Sequence, residues 1–450
     1  MLFSSPEFFI FFITYLIIWY LLPFKYNIFI IIFGSLFFYG FWNFNYVLLP
    51  VFLTIIGFFG GKWITINGLF NKKIRLLLSI IIILIPLVIF KYANFITGSS
   101  YFDFALPLGI SFITFTLIAY LVDIYKNDYQ PENNFNVLLG YISFFPQLIA
   151  GPILRPRELI PQLKKKIEVN NNMRIQGFTI FTIGLGKKLI IADQLSPYVT
   201  NAYDNASIIK FHEWLIAFYG FAVQIYCDFS GYTDMAIGTA LFFGIVLPIN
   251  FDRPYSSISF IEFWRRWHIT LSSWFRDYMY IPLGGGKKSF LRKLLNIIFT
   301  MTICGLWHGA GWNFVLWGFL HGLFVGFAHF INFVSFSFRL PKVFIQIIIF
   351  HIVAVLWIPF RSIDINNMYD MFYALSNWRT FELSSISEFF FPIFIILFFF
   401  FTHKFDTINN FKKISVKYPI KVLFPFLFFI WLFSIVISAG SSAEFIYFDF

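Results

Sequence analysis

The chain has 450 residues, 59% of them hydrophobic and only 12% charged, against about 25% charged in a soluble domain. That balance excludes a soluble globular protein and indicates a polytopic membrane protein, for which length is a poor guide to domain number. The formal charge of +11 lies in short clusters between apolar runs, as in cytoplasmic loops. Anionic lipid headgroups and an acidic cofactor are therefore the expected partners, and nucleic acid is not. The two cysteines, Cys227 and Cys304, sit in apolar surroundings and do not read as a disulfide framework.

In chain order, the N-terminal residues lack a basic n-region and no small-residue cleavage site follows Leu22, so 8–22 reads as a retained first span. Further apolar runs lie at 28–42, 46–61, 76–90, 104–125, 175–193, 213–248, 293–308, 312–334, 343–360, 389–402 and 422–439. The stretch 136–150 is flanked by charge and suits a re-entrant or interfacial helix. The predicted fold is all-α, with about 11–12 transmembrane helices plus re-entrant or interfacial ones. Cytoplasmic loops are marked by Lys62, Lys72, Lys73 and Arg75; by Arg155, Arg157, Lys164, Lys165 and Lys166; by Lys287, Lys288, Arg292 and Lys293; and by Lys404, Lys412, Lys413, Lys417 and Lys421. Threading the spans between them puts both termini outside the cytoplasm. Lys187 and Lys188, late in a span, predict a helix that lines a cavity or ends early. No internal repeat supports a duplicated transporter, and no linker divides the chain, which reads as one membrane domain over 1–450.

Three segments carry polar chemistry. The first is Cys304-Gly305-Leu306-Trp307-His308-Gly309-Ala310-Gly311-Trp312. An imidazole at membrane depth must be hydrogen-bonded or face a polar cavity, because lipid satisfies neither need; His308 is a site candidate, against a histidine merely bonded to a neighbouring helix. Cys304, four residues earlier, allows a Cys-His pair, but an apolar setting favours an inert thiol. The second segment, 260–278, is too dense in charge and aromatics for a lipid-facing span. Helical spacing puts Trp264, Trp267, His268, Leu271, Trp274 and Phe275 on one side, with Glu262 meeting Arg265 and Arg266. An interfacial helix explains its Trp and Arg but not His268. Arg265, Arg266, Arg276, Lys287 and Lys288 suit the phosphates of a polyanion such as coenzyme A, although positive-inside bias accounts for any one of them. The third, 224–234, holds Asp228 and Asp234, for which Arg253, Arg265 or Lys187 are candidate ion-pair partners. His321 and His329 read as packing residues. Neither HExxH nor a Cys/His pattern of metal spacing occurs, so no metal site is expected. GxSxG is absent too, and 284–289 fails the P-loop register and reads as a turn.

Four blocks, at 1–8, 263–272, 306–309 with Trp317-Gly318, and 445–450, resemble the membrane-bound O-acyltransferases, in the branch that acetylates alginate and peptidoglycan. The resemblance runs over essentially the whole chain. It implies a helical bundle thinned at its middle around a central tunnel, in some relatives with an odd number of crossings. It implies that His308 matches the family's essential histidine, acting as general base, and that His268 matches a second polar core residue, Asn in many eukaryotic relatives, which orients the acyl group or polarises its carbonyl. The donor, acetyl-CoA, would bind from the cytoplasmic side near Trp264, Arg265, Arg266, Trp267 and Arg276, with Trp307 and Trp312 walling the tunnel. Tyr447 would be an acyl relay, against an aromatic anchor at the interface. The location implied is the bacterial cytoplasmic membrane, with an extracytoplasmic O-acetyltransferase partner. D-alanyl or other acyl transfer, and a transporter or scaffold without acyl chemistry, are the competing readings.

Overall fold

Apolar runs become helices because lipid satisfies no backbone group, so each span must bond its own N–H and C=O groups. The computed structural model describes all residues except 69, 100–104, 150, 167, 288, 335–339, 383–386, 439–442, 444 and 447–450. The described residues form helices and connecting turns, without strands. The helices that matter here are α1 (Pro6–Leu21), α2 (Asn27–Trp42), α3 (Leu49–Thr65), α4 (Ile110–Lys126), α5 (Asn171–Gly186), α6 (Asp193–Asp204), α7 (Phe211–Leu241), α8 (Phe260–Arg266), α9 (Ile269–Phe275), α10 (Phe290–His308), α11 (Trp312–Phe333) and α12 (Lys342–Arg361).

Among the described residues nine helical segments are long and apolar enough to cross a membrane, and α1 is a shorter apolar helix. The expected spans at 104–125 and 213–248 are helical as α4 and α7, but α4 has 17 residues and the 31-residue α7 carries Glu213, Asp228 and Asp234. The stretch 136–150 breaks into Phe135–Ser143 and Phe145–Leu148, each too short to cross. Burial is inverted relative to a soluble protein: Ile10, Phe33 and Phe401 are exposed while Lys188, Asp228 and His268 are buried. Lipid, not water, is the solvent of this surface, and the chain is a multi-pass membrane protein.

The chain divides into two compact units, one of 1–181 with 232–248 and the other of 182–231 with 249–450. In the first, α1 starts where Ser5 accepts from the Phe8 N–H at 3.3 Å and Pro6 occupies the first turn. Phe3 and Phe8 are fully buried, the ring of Phe3 lying 4.6 Å from Tyr232. Gly60 of α3 lets Ser79 come within 3.0 Å of where its Cβ would stand.

The second unit holds the site candidates. Contrary to the expectation of an early end, α5 continues through the wide turn Lys187–Ala192 into α6. Ion pairs make this possible. Lys188 pairs with Asp193 and Asp228, and Lys187 with Asp406. Lys187 does line a cavity, of about 810 Å³, with His403, Asp406 and Asn410. The partner of Asp228 is thus Lys188, not Arg253, Arg265 or Lys187, because the wide turn brings the second lysine to α7.

Candidate active site

His308 is the last residue of α10, which is capped at its start by Ser289 accepting from Arg292 N–H at 3.4 Å. Glycines set how closely the next helix can approach. A Cβ on Gly305 would overlap the Phe314 carbonyl and stand 2.9 Å from Gly318 Cα, and one on Gly318 would overlap the Met301 carbonyl. The crossing of α10 and α11 is therefore a backbone-to-backbone approach that side chains forbid. Asn313, buried at the start of α11, donates from Nδ2 to the Ser362 carbonyl at 2.7 Å and the Pro359 carbonyl at 3.2 Å, tying that end to α12. Between these elements the His308 ring is 2% exposed. It meets Trp307, Trp317 and Phe360 edge-on at centroid distances of 4.9, 5.1 and 5.3 Å. Cys304 is one turn earlier on the same continuous helix and is buried.

His268 is built differently. α8 opens with a side-chain cap: Ser259 Oγ accepts from Glu262 N–H at 3.1 Å, and the Glu262 carboxylate accepts from the preceding Ile258 N–H at 2.8 Å. The expected single helical face does not form, because the chain breaks at Trp267 and places His268 at φ 42°, ψ 56° before α9 begins. Hydrogen bonds to the segment 250–252 hold the break open. Asp252 N–H donates to the Arg266 carbonyl at 3.0 Å, and Ile269 N–H to the Asn250 carbonyl at 2.9 Å. Asn250 Oδ1 accepts from Thr270 N–H at 3.2 Å and Thr270 Oγ1 at 2.9 Å.

That oxygen also faces His268 Nδ1 at 3.2 Å. A carboxamide oxygen only accepts, so Nδ1 carries the proton and Nε2 carries a lone pair. Nε2 has no hydrogen-bond partner among the described residues. The ring is fully buried, and burial lowers it to about 3, so it is neutral. Phe229 lies 4.7 Å and Trp307 6.4 Å from it, so Trp307 stands beside both candidate histidines.

A third imidazole belongs to the constellation. His321, expected to be packing, is 0% exposed and accepts at Nδ1 from the Trp264 indole N–H at 3.3 Å. Its proton is therefore on Nε2, which has no partner among the described residues. His321 packs 4.7 Å from Trp317, the ring that also faces His308. His268 thus presents an acceptor and His321 a donor. Neither His321 nor Asn250 is legible in sequence as a site residue: one reads as an apolar-face histidine, the other has no local motif.

The proposed donor-side residues separate. Trp264 and Trp267 are in the core, Trp267 against Trp357 at 4.9 Å. Arg265 is exposed, Arg266 pairs with Glu262 at 2.6 Å, and the exposed Arg276 pairs with Asp277 at 2.7 Å. Trp307 is buried as expected, but Trp312 is 67% exposed as the first residue of α11, so it walls no enclosed site. Gly284 and Gly285 take positive φ in the expected turn. Lys288 and Tyr447 lie outside the described residues.

A multi-pass helical protein with three buried imidazoles set among indole rings defines an integral-membrane protein with a polar candidate site in its core. Residues 134–369, which include His268, His308 and His321, match the model of the membrane-bound O-acyltransferase family, MBOAT, and the chain belongs to that family. It is similar to a peptidoglycan O-acetyltransferase of Helicobacter pylori, 38% identical over 372 residues that cover 74% of this chain and 70% of the relative. A probable alginate O-acetylase of Azotobacter vinelandii is 34% identical over 404 residues, 86% of this chain and 80% of the relative. A teichoic acid D-alanyltransferase of Bacillus subtilis is 28% identical over 225 residues, 48% and 57% of the two chains. The chain is therefore an acyltransferase.

Proposed function

We propose that the protein moves an acetyl group from a cytoplasmic thioester, acetyl-CoA, across the bacterial cytoplasmic membrane for O-acetylation of an extracytoplasmic polysaccharide of peptidoglycan or alginate type. Residues 1–450 act as one catalytic domain, both termini are extracytoplasmic, and a partner protein on that side delivers the group to the polymer. The observation that carries the reading is the meeting of His308 and His268 on the shared Trp307 ring. The activities of relatives covering 74% and 86% of the chain support the acetyl group and the polymer class.

His308 is the general base. It takes the proton of an acceptor hydroxyl as that oxygen attacks the thioester carbonyl, and returns it to the departing thiolate as the tetrahedral adduct collapses. A positioned base of this kind contributes roughly 10²–10⁴ in rate. The His268 lone pair at Nε2 orients the acyl donor by accepting from an amide N–H of its pantetheine arm; polarising a carbonyl requires the opposite tautomer. His321, protonated at Nε2, has the donor such polarisation needs. Tyr447 serves as the relay hydroxyl, and the exposed Arg265 and Arg276 with the half-buried Arg266 meet the donor's phosphates, while Trp264 and Trp267 stay in the core. The test is His308→Ala in the full chain, assayed for polymer acetylation and for membrane abundance. Acetylation is expected to vanish at normal abundance. Wild-type acetylation by the variant removes His308 from the chemistry.

A further inference from the structure

The mechanism leaves a deeply buried charge cluster unused. Lys188 pairs with Asp193 at 2.7 Å and Asp228 at 2.6 Å, with every side chain at most 3% exposed. Apolar residues of similar volume often replace such groups without loss of stability, so stability alone is a weak reason for this one. All three of its members also reach a distant stretch of chain, Asp193 by accepting from the backbone of Ala443. Lys188 Nζ donates to the Ala443 carbonyl at 3.1 Å, and Ile446 N–H donates to Asp228 Oδ2 at 2.9 Å. Between these anchors Phe445 is fully buried, with its ring 5.9 Å from Phe229. Phe229 is the ring 4.7 Å from His268.

The balance of charge suits this grip. With one cation and two carboxylates, each carboxylate serves Lys188 and still accepts from a backbone donor. All three contacts to Ala443 and Ile446 are made through main-chain groups, so the charges hold those two residues and Phe445 fixes their register.

We infer that Lys188, Asp193 and Asp228 form a clamp that seats Ala443, Phe445 and Ile446 against the Phe229–His268 wall, and that Lys188 and Asp228 are positioning residues for acyl transfer. The grip itself is independent of the reading of Tyr447 as a relay; its effect on transfer rests on that reading, because 446 is the residue before it.

The experiment is hydrogen exchange by mass spectrometry on the purified full chain, read at peptides covering 443–446, together with acetyl transfer. Asp228→Leu removes the acceptor and leaves a neutral Lys188–Asp193 pair. It is expected to speed exchange in 443–446 at least about tenfold, and to lower turnover by a similar factor at unchanged half-saturation for acetyl-CoA. Asp228→Asn, which keeps an oxygen acceptor, should recover most of both. Unchanged exchange in Asp228→Leu overturns the clamp. If that variant does not accumulate, Phe445→Ala, which keeps all three charges, is read by the same criterion. Tyr447→Phe separates the two ideas: an active Tyr447→Phe enzyme ends the relay, and the exchange result still decides the clamp.

Discussion

The regions around His308 and His268 reach the same end by opposite means. His308 is fixed by missing side chains: Gly305 and Gly318 let two helix backbones meet, and the imidazole at the end of α10 is enclosed by rings. His268 is fixed by added hydrogen bonds: a broken helix is held to Asn250 and Asp252, and one oxygen of Asn250 chooses the proton's position on the ring. The first site is set by packing, which tolerates no added volume. The second is set by polar contacts, which tolerate volume changes but not the loss of an acceptor.

The contrast is easiest to break at the glycines. Gly305→Val should cost about 3 kcal/mol or more of stability and abolish transfer, seen as loss of folded protein on size-exclusion chromatography. Asn250→Leu should leave a folded enzyme whose turnover falls about 10–100-fold, the cost of about 1–3 kcal/mol for stranded donors, and Asn250→Asp should restore much of it. If Asn250→Leu unfolds the protein as Gly305→Val does, the division between packing and polar control is wrong. Trp264→Phe deletes the indole donor to His321 along with part of the ring packed 5.9 Å from Trp317, and should lower turnover about 2–10-fold, measured with labelled acetyl-CoA.

A smaller effect sharpens the second site. The His268 imidazole falls from an ordinary 6.5 to about 3 through burial, so between those values the unfolded chain binds a proton that the folded one refuses. Its contribution is fully present above pH 6.5 and is lost as pH falls below it. From pH 7 to pH 5 this amounts to about 2 kcal/mol. His268→Asn should therefore show a smaller drop in thermal inactivation temperature over that interval than the wild type. An equal drop in both proteins would assign the acid sensitivity elsewhere.

The same contrast explains what is legible in the sequence. Spans, basic loops and His308 follow from local pattern: apolar length, charge spacing and glycines next to a polar residue. The tautomer of His268 depends on Asn250, eighteen positions away with no periodic relation to it, and the break in the helix arises from tertiary hydrogen bonds that override helical spacing. His321 reads as packing because its partner, Trp264, lies on another helix. Trp312 fails for the opposite reason: its neighbours in sequence suggest the core, but the turn at Gly309 and Gly311 leaves it on the surface. Charge pattern points to Lys187 as a partner for Asp228 and misses by one residue, since only a wide helical turn carries Lys188 there.

The left-handed backbone at His268 has a consequence for what evolution or a designer may write there. At φ 42° a β-branched side chain is strongly disfavoured, while Asn, Asp, His and Gly are tolerated. The permitted alphabet at 268 is therefore short and mostly polar before any question of chemistry arises. In a saturation library scored only for folded protein, Asn should outlast Val, Ile and Thr, although all three are closer to the lipophilic character of the surrounding core. The backbone here preselects hydrogen-bonding residues, and the reaction then chooses among them.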